Sequence, residues 1–489
     1  MTIIQGTSQT DLKMEALYAD FGRKYPSYSA TKPLDDLRRR EYARLDRLGH
    51  AYLDYTGGGL YAERQVREHQ HMLLDNVFGN PHSINPTSTL ATELVEKARC
   101  YVLEFFNAPA KEYLVIFTPN ASGALKLIGE SYPFSPGSQL LLTFDNHNSV
   151  NGIREYARVR GARHTYLAMS APDLRMDESQ LISHLEDADP NENNLFAFPA
   201  QSNFSGVQHS LEWVAEAQKR GWDVIADCAA FVATNRLDLS RWRPDFVPLS
   251  FYKMFGYPTG LGCLLARKSA LEKLRRPWFA GGAVFAASVR GDAYYLAADE
   301  AGFEDGTVNY LDIPAVEIGL RHLDANGMEM IHERVICLTG WLLETLQSLR
   351  HQNGMPLVKV YGPPDTHMRG GTVPLNLLDP AGKVVDERIV EQVAMEKRIS
   401  IRTGCFCNPG AGEIAFSLPP DALERAFGSG ERLSYDDYLE AVGLPNSGAL
   451  RVSLGLVTNF ADVYRFVELV RSFRDRFHES ATLKPRSHC

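Results

Sequence analysis

Cysteine is scarce. Seven in 489 residues are too few and too unevenly spaced for a disulfide framework, so a reducing compartment with free thiols is the expectation. Positive charge is also in short supply: 51 Lys and Arg against 60 Asp and Glu give a net charge of −9, which argues against nucleic acid or an anionic membrane as the main partner. No apolar run approaches the roughly 20 residues that cross a bilayer. The N-terminal stretch MTIIQGTSQTDLKMEALYAD lacks a basic segment followed by an apolar core, and the chain reads as soluble and cytoplasmic. Repeats and low-complexity tracts are missing. With 44% hydrophobic, 23% charged and 10% aromatic residues, a disordered or collagen-like protein is excluded. At about 150 residues per domain the length allows roughly two to four units with a large buried core.

What is present is an alternation. Short apolar runs at Leu114 to Phe117, Leu140 to Phe144, Leu195 to Phe198, Val224 to Ala226, Phe246 to Leu249 and Gly262 to Ala266 are separated by helical patterns such as Leu211 to Arg220. This is the pattern of βαβ units and a mostly parallel sheet, an α/β fold. From Ile331 the texture changes to a long amphipathic helix (Ile331, Val335, Leu338, Leu342, Leu346), then strand-like pieces at Leu357 to Val360, Thr372 to Leu377 and Leu450 to Leu454. Residues 418–447 read as a loop-rich insertion. The expected organisation is an N-terminal segment (1–50) packing on the small domain, a large domain (51–325) and a smaller α+β domain (326–489) carrying the Cys407 loop. The basic cluster Arg38, Arg39 and Arg40, flanked by Asp35, Asp36 and Glu41, reads as a solvated helix face rather than a phosphate patch.

In such sheets ligands sit beyond the carboxyl ends of the strands, and five positions there describe a pocket for pyridoxal phosphate. Thr118-Pro119-Asn120-Ala121-Ser122-Gly123 opens a helix, where backbone N–H groups and the positive helix end suit a phosphate; the plain alternative for Asn120 is an N-cap. Asp227 closes a buried strand, which is costly unless the carboxylate meets a cation such as a protonated pyridine nitrogen, or unless it caps the next helix. Lys253, flanked by Phe251, Tyr252, Met254 and Phe255, is set in apolar surroundings that favour Schiff-base chemistry. His147 suits stacking on a planar ring, although a loop histidine also reads as polar surface. The amide of Asn203, in Ser202-Asn203-Phe204-Ser205-Gly206, suits a phenolic oxygen, with a simple turn as its alternative.

Farther on, Arg402-Thr403-Gly404-Cys405-Phe406-Cys407-Asn408-Pro409-Gly410 places a cysteine in a Gly/Pro-rich loop near an arginine, as a nucleophilic thiolate requires. No second cysteine pair lies nearby to complete a zinc site, and no metal is expected. Cys100, Cys228, Cys263 and Cys337 read as inert core thiols. Arg451 opens the last strand, where its planar fork suits a substrate carboxylate or a structural salt bridge. Gly57-Gly58-Gly59 lacks the G-x-G-x-x-G spacing and a following helix, so dinucleotide binding is rejected.

On Tyr52-Leu53-Asp54-Tyr55, Gly79-Asn80-Pro81-His82-Ser83, Asn146 to Val150, Ser202 to Gly206, Ser250 to Gly262, Arg402 to Gly410 and Arg451 to Gly455, the chain resembles the class V aminotransferase group of fold type I pyridoxal phosphate enzymes. Within that group it resembles the N-terminal domain of molybdenum cofactor sulfurases. The resemblance implies a seven-stranded large domain and a smaller α+β domain. It implies that Lys253 bonds covalently to the cofactor, that Asp227 pairs with the ring nitrogen, that His147 stacks on the ring and that Asn203 meets the 3-hydroxyl. Ala121, Ser122, Ser250 and Tyr252 would surround the phosphate, Thr307 would reach across from a second subunit of a homodimer, Cys407 would carry the persulfide, and Arg451 with Arg402 would bind the substrate carboxylate.

Many cysteine desulfurases have His where this chain has Tyr252 and Gln where it has Ala230; Tyr252 is shared with the sulfurase branch. The sulfurases often have a further Cys where this chain has Gly412, and they continue into a C-terminal domain that these 489 residues do not contain, so sulfur delivery is expected to need an acceptor protein. The expected activity is that of a cysteine desulfurase. The alternatives are a pyridoxal phosphate-dependent C–S lyase, epimerase or other amino acid-transforming enzyme, and a catalytically silent scaffold.

Overall fold

The computed structural model describes residues 9–428, 433–444 and 448–478. By packing the chain divides into two units, one of residues 56–328 with 406–415 and the other of residues 1–55, 329–405 and 416–489. The segment bearing Cys407 thus clusters with the larger unit.

The larger unit is built on seven strands: β1 (Tyr113–Thr118), β2 (Gln139–Thr143), β3 (Arg163–Leu167), β4 (Asn194–Pro199), β5 (Trp222–Asp227), β6 (Phe246–Ser250) and β7 (Gly262–Arg267). Their order is β1-β7-β6-β5-β4-β2-β3. β7 runs antiparallel to both neighbours, with Gly262 opposite Thr118 and Ser250, and the other pairings are parallel. β4 and β5 are buried at every residue, as central strands covered on both faces must be. Helices Ala121–Ser131 and Ile153–Val159 cover one face through Leu125, Ile128 and Ile153, which pack with Leu140, Leu195, Ile225 and Phe246.

All six apolar runs are strands. The seventh, β3, has the sequence RHTYL with its first two residues exposed; an edge strand needs no apolar run and is protected by charge, so its pattern carries no strand signal. Because β2, β4, β5 and β6 are parallel, Asp145, Gln201, Asp227 and Ser250 all emerge at the same sheet edge.

In the smaller unit, β8 (Val358–Val360), β9 (Thr372–Leu377), β10 (Arg402–Gly404) and β11 (Ala449–Ser453) form an antiparallel sheet in the order β8-β9-β11-β10. Leu338 and Leu342 of helix Met328–Ser348, Phe466 of helix Phe460–Arg471 and Phe21 of helix Gln9–Lys24 share a core with Val373 and Val452. The short strand Ala51–Tyr52 pairs parallel with Ile399–Ser400. The expected loop-rich insertion is instead helical where it is described, at Pro420–Gly428 and Tyr435–Ala441. Only short amphipathic pieces are present there, too brief to establish a period in sequence.

The arginine cluster needs a similar correction. Arg39 is exposed, but Arg38 is buried, ion-paired with Asp46 at 2.7 Å and with buried Asp462, and its Nη1 donates to Val457 O at 2.8 Å. The Asp462 carboxyl is pushed up by burial and drawn back by Arg38. Removing the guanidinium leaves that acid buried without its partner, so Arg38→Met is expected to destabilise the smaller unit by about 3–5 kcal/mol. Thermal melting checks this, and an unchanged midpoint would contradict it.

The cysteines divide unevenly. Cys228 and Cys263 are buried with thiol pKa values pushed well up by desolvation, and burial raises Cys337 to about 11, all in keeping with inert thiols. Cys100 is exposed, contrary to expectation, because it sits on the outer face of helix Pro86–Phe105.

Candidate active site

The edge where β2, β4, β5 and β6 end holds a cavity of about 170 Å³. Lys253 and Tyr252 line it from the one-turn helix Phe251–Phe255, which follows β6 directly. Phe251, Met254 and Phe255 are buried, and Tyr252 and Lys253 between them line the cavity. The turn is closed by Gly256 at φ 78°, where a Cβ would lie 2.4 Å from Tyr61 N, so no other residue fits. The three-glycine segment has a packing role: Gly59 N donates to Tyr252 O at 2.9 Å.

Asp227, the last residue of β5, faces the same cavity and is buried. Burial pushes its carboxyl above the ordinary value, and the Lys253 ammonium draws it partly back. Its Oδ1 accepts from Ala229 N at 3.0 Å, a local turn that supplies a neutral donor only. The remaining electrostatic demand of a buried carboxylate is for a cation.

The phosphate-type features line the same cavity. Asn120 is the N-cap of helix Ala121–Ser131, its side chain accepting from Gly123 N at 3.0 Å, as the plain reading of that residue proposed. Ala121 N donates to Ser250 Oγ at 2.8 Å, and Ser122 Oγ lies 2.5 Å from Ser149 Oγ. Ala121, Ser122, Ser149 and Ser250 therefore bring hydroxyls and a positive helix end to one wall.

His147 and Asn203 complete the lining. His147 caps helix Asn148–Asn151 through Nδ1, which accepts from Ser149 N at 3.1 Å, and this bond orients its ring in the cavity lining. Asn203 Nδ2 donates to Phe406 O at 2.7 Å, and Asn203 Oδ1 accepts from Asn408 Nδ2 at 2.9 Å. Cys407, exposed, is held one residue away on each side. Phe406 and Cys407 both have left-handed backbones, φ 57° and 55°, a geometry that costs non-glycine residues about 1–3 kcal/mol each.

Three expected residues are not among those that line this cavity. Thr307 lines a different cavity of the larger unit, with Pro119, Gly260 and Asp305, and its hydroxyl accepts from Asn80 Nδ2 at 3.4 Å. Arg402 and Arg451 belong to the smaller unit, directly opposite each other on β10 and β11. Arg402 makes contacts of 2.7–3.2 Å with the Asp54 carboxylate, and Arg451 Nη2 lies 3.3 Å from Asp54 Oδ1. The salt-bridge reading of Arg451 therefore describes its contact here, and the two guanidinium groups share one carboxylate. Asp54 and Asn408 were given no role from sequence, although both stand inside stretches singled out there. Among the described residues no group of three or more His, Cys, Asp or Glu side chains is placed to hold a metal ion, and no helix is long and apolar enough to cross a membrane.

The model of the aminotransferase class-V family matches residues 51–466. The chain belongs to the class-V aminotransferase family. Among relatives of this family member, a molybdenum cofactor sulfurase of Arabidopsis thaliana is 37% identical over 94% of this chain and 60% of its own length. The human molybdenum cofactor sulfurase is 34% identical over 93% of this chain and 53% of its own length. The chain thus spans little more than half the length of these relatives. In structure it is similar to the apo cysteine desulfurase of Thermococcus onnurineus NA1, with a TM-score of 0.74, 22% identity and coverage of 90% and 98% of the two chains. It is also similar to a C-DES mutant carrying glycine covalently linked to its PLP cofactor, with a TM-score of 0.66, 17% identity and coverage of 88% and 98%. The fold is that of fold type I pyridoxal phosphate enzymes, and the class-V member described here carries both its large mostly parallel sheet and its smaller α+β unit.

Proposed function

We propose that this class-V protein is a pyridoxal phosphate-dependent cysteine desulfurase of the molybdenum cofactor sulfurase kind, in which Cys407 takes sulfur from cysteine as a persulfide and alanine is released. The observation that carries the reading is the meeting of Lys253 and buried Asp227 in one cavity that is also lined by hydroxyls and a helix N-terminus. That donor set suits the cofactor: Asp227 would meet its ring nitrogen, Asn203 its phenolic oxygen and His147 its ring, and Ala121, Ser122, Ser250 and Tyr252 would hold its phosphate. Thr307 would complete the phosphate site from a second copy of the chain in a homodimer.

When bound, the cofactor supplies an electrophilic aldehyde and a ring that accepts electrons. The Lys253 amine would hold the cofactor and would serve as the base for the proton on the substrate Cα. Asp227 would pair with the cofactor's ring nitrogen. The Cys407 thiolate attacks the substrate sulfur, so an S–S bond forms as the substrate C–S bond breaks, and the carbon fragment leaves as alanine after protonation. Arg402 and Arg451 supply the positive charge for the substrate carboxylate, and an acceptor protein would take the sulfur onward.

Incubation with cysteine and product analysis tests the reading: equimolar alanine and Cys407 persulfide support it, and pyruvate selects a C–S lyase instead. Asp227→Asn retains an acceptor for Ala229 N–H but loses the charge. It is expected to lower alanine formation about 100-fold while melting no earlier than the parent, because a buried charge has been removed. Full activity in that variant would remove Asp227 from the mechanism.

A further inference from the structure

We propose that Asn408 is a positioning residue which, paired with Asn203, clamps Cys407 in place and couples its reactivity to occupancy of the Lys253 cavity. The coupling rests on the cofactor reading of that cavity, whereas the clamp stands on geometry alone. Asn408 is fully buried although its neighbour Cys407 is exposed. Its Nδ2 donates to Asp145 O at 2.6 Å and to Asn203 Oδ1 at 2.9 Å, and its Oδ1 accepts from Ala411 N at 3.3 Å.

The backbone on either side is bound as tightly. Phe406 O accepts from Asn203 Nδ2 at 2.7 Å, and Cys407 O accepts from Asn148 N at 2.8 Å. Gly410 is pressed so closely on β2's exit that a Cβ there would stand 2.0 Å from Phe144 O. Two successive left-handed residues persist only where their surroundings over-determine them, and here those surroundings are the cavity's own rim. The amide that would meet a phenolic oxygen in the cavity is the same amide that holds Phe406 O and Asn408. A ligand drawing on Asn203 therefore acts on the Cys407 turn directly, through one side chain.

The test follows alkylation of Cys407 by iodoacetamide, read by peptide mass mapping, with and without added pyridoxal phosphate, in the parent protein and in Asn408→Ala and Asn408→Asp. Aspartate keeps the size and the acceptor for Ala411 N–H but lacks both donors. In the parent the cofactor is expected to change the alkylation rate by about threefold or more, and in both variants the cofactor-free rate is expected to rise about tenfold, the worth of one to two lost hydrogen bonds. In the variants the response to cofactor disappears, kcat for alanine release falls about tenfold and KM stays within about threefold, since substrate binding is untouched.

Parent-like alkylation in both variants would overturn the clamp. So would an equal rise at buried Cys228 and Cys263, which would show that Asn408 supports the fold at large. A faster cofactor-free rate in the variants with an undiminished response to cofactor would overturn the coupling. Failure of any form to bind the cofactor would sink the proposed function and the coupling, leaving the cofactor-free rates to judge the clamp.

Discussion

Lys253→Ala is expected to lose cysteine-dependent alanine formation on the order of 10³-fold or more, because one amine is asked both to attach the cofactor and to move the substrate proton. The turn itself is held by Gly59 N on Tyr252 O and by the buried rings of Phe251 and Phe255, so the variant should fold. It should melt somewhat earlier than the parent, because buried Asp227 loses the nearby ammonium. Lys253→Arg should fail equally, since a guanidinium stays protonated and cannot form the link. Measurement of alanine by mass spectrometry at saturating cysteine decides the matter, and turnover within about tenfold of the parent would exclude Lys253 from both roles.

Cys407→Ala has the second largest expected effect, and a different signature. The residue is exposed, and what fixes its turn is the backbone and the side chain of Asn408, so the cavity and its visible cofactor absorbance should survive. Persulfide formation should vanish and alanine release should fall about 10³-fold, the scale set by loss of a positioned nucleophile. Alanine release undiminished in Cys407→Ala would move the sulfur chemistry to another acceptor.

Much of this was legible in the chain, for a physical reason. Buried parallel strands need uninterrupted apolar runs, and the parallel topology forces their carboxyl ends, with Asp227 and the residues after β2 and β4, to one edge. Lys253 announced itself by the large neighbours Phe251, Tyr252, Met254 and Phe255, three of them apolar. What stayed hidden depends on partners distant in sequence. Arg38 looks solvated until Asp462, 424 residues on, is folded beside it. Asn408 looks like a loop residue until Asp145 and Asn203 close around it. Asp54 shows no preference for arginine before β10 and β11 set Arg402 and Arg451 side by side. Strand β3 and the helices at Pro420–Gly428 and Tyr435–Ala441 are exposed or short, and hydrophobic periodicity is weakest there.

The central claim is that one amine in the cavity bonds to pyridoxal phosphate. Reduction of the cofactor-loaded protein with borohydride, followed by digestion and mass mapping, tests it directly. The account predicts a single stable pyridoxyl adduct on the peptide carrying Lys253, absent from Lys253→Ala. An adduct on another lysine, or no adduct on protein that has taken up the cofactor, would contradict it.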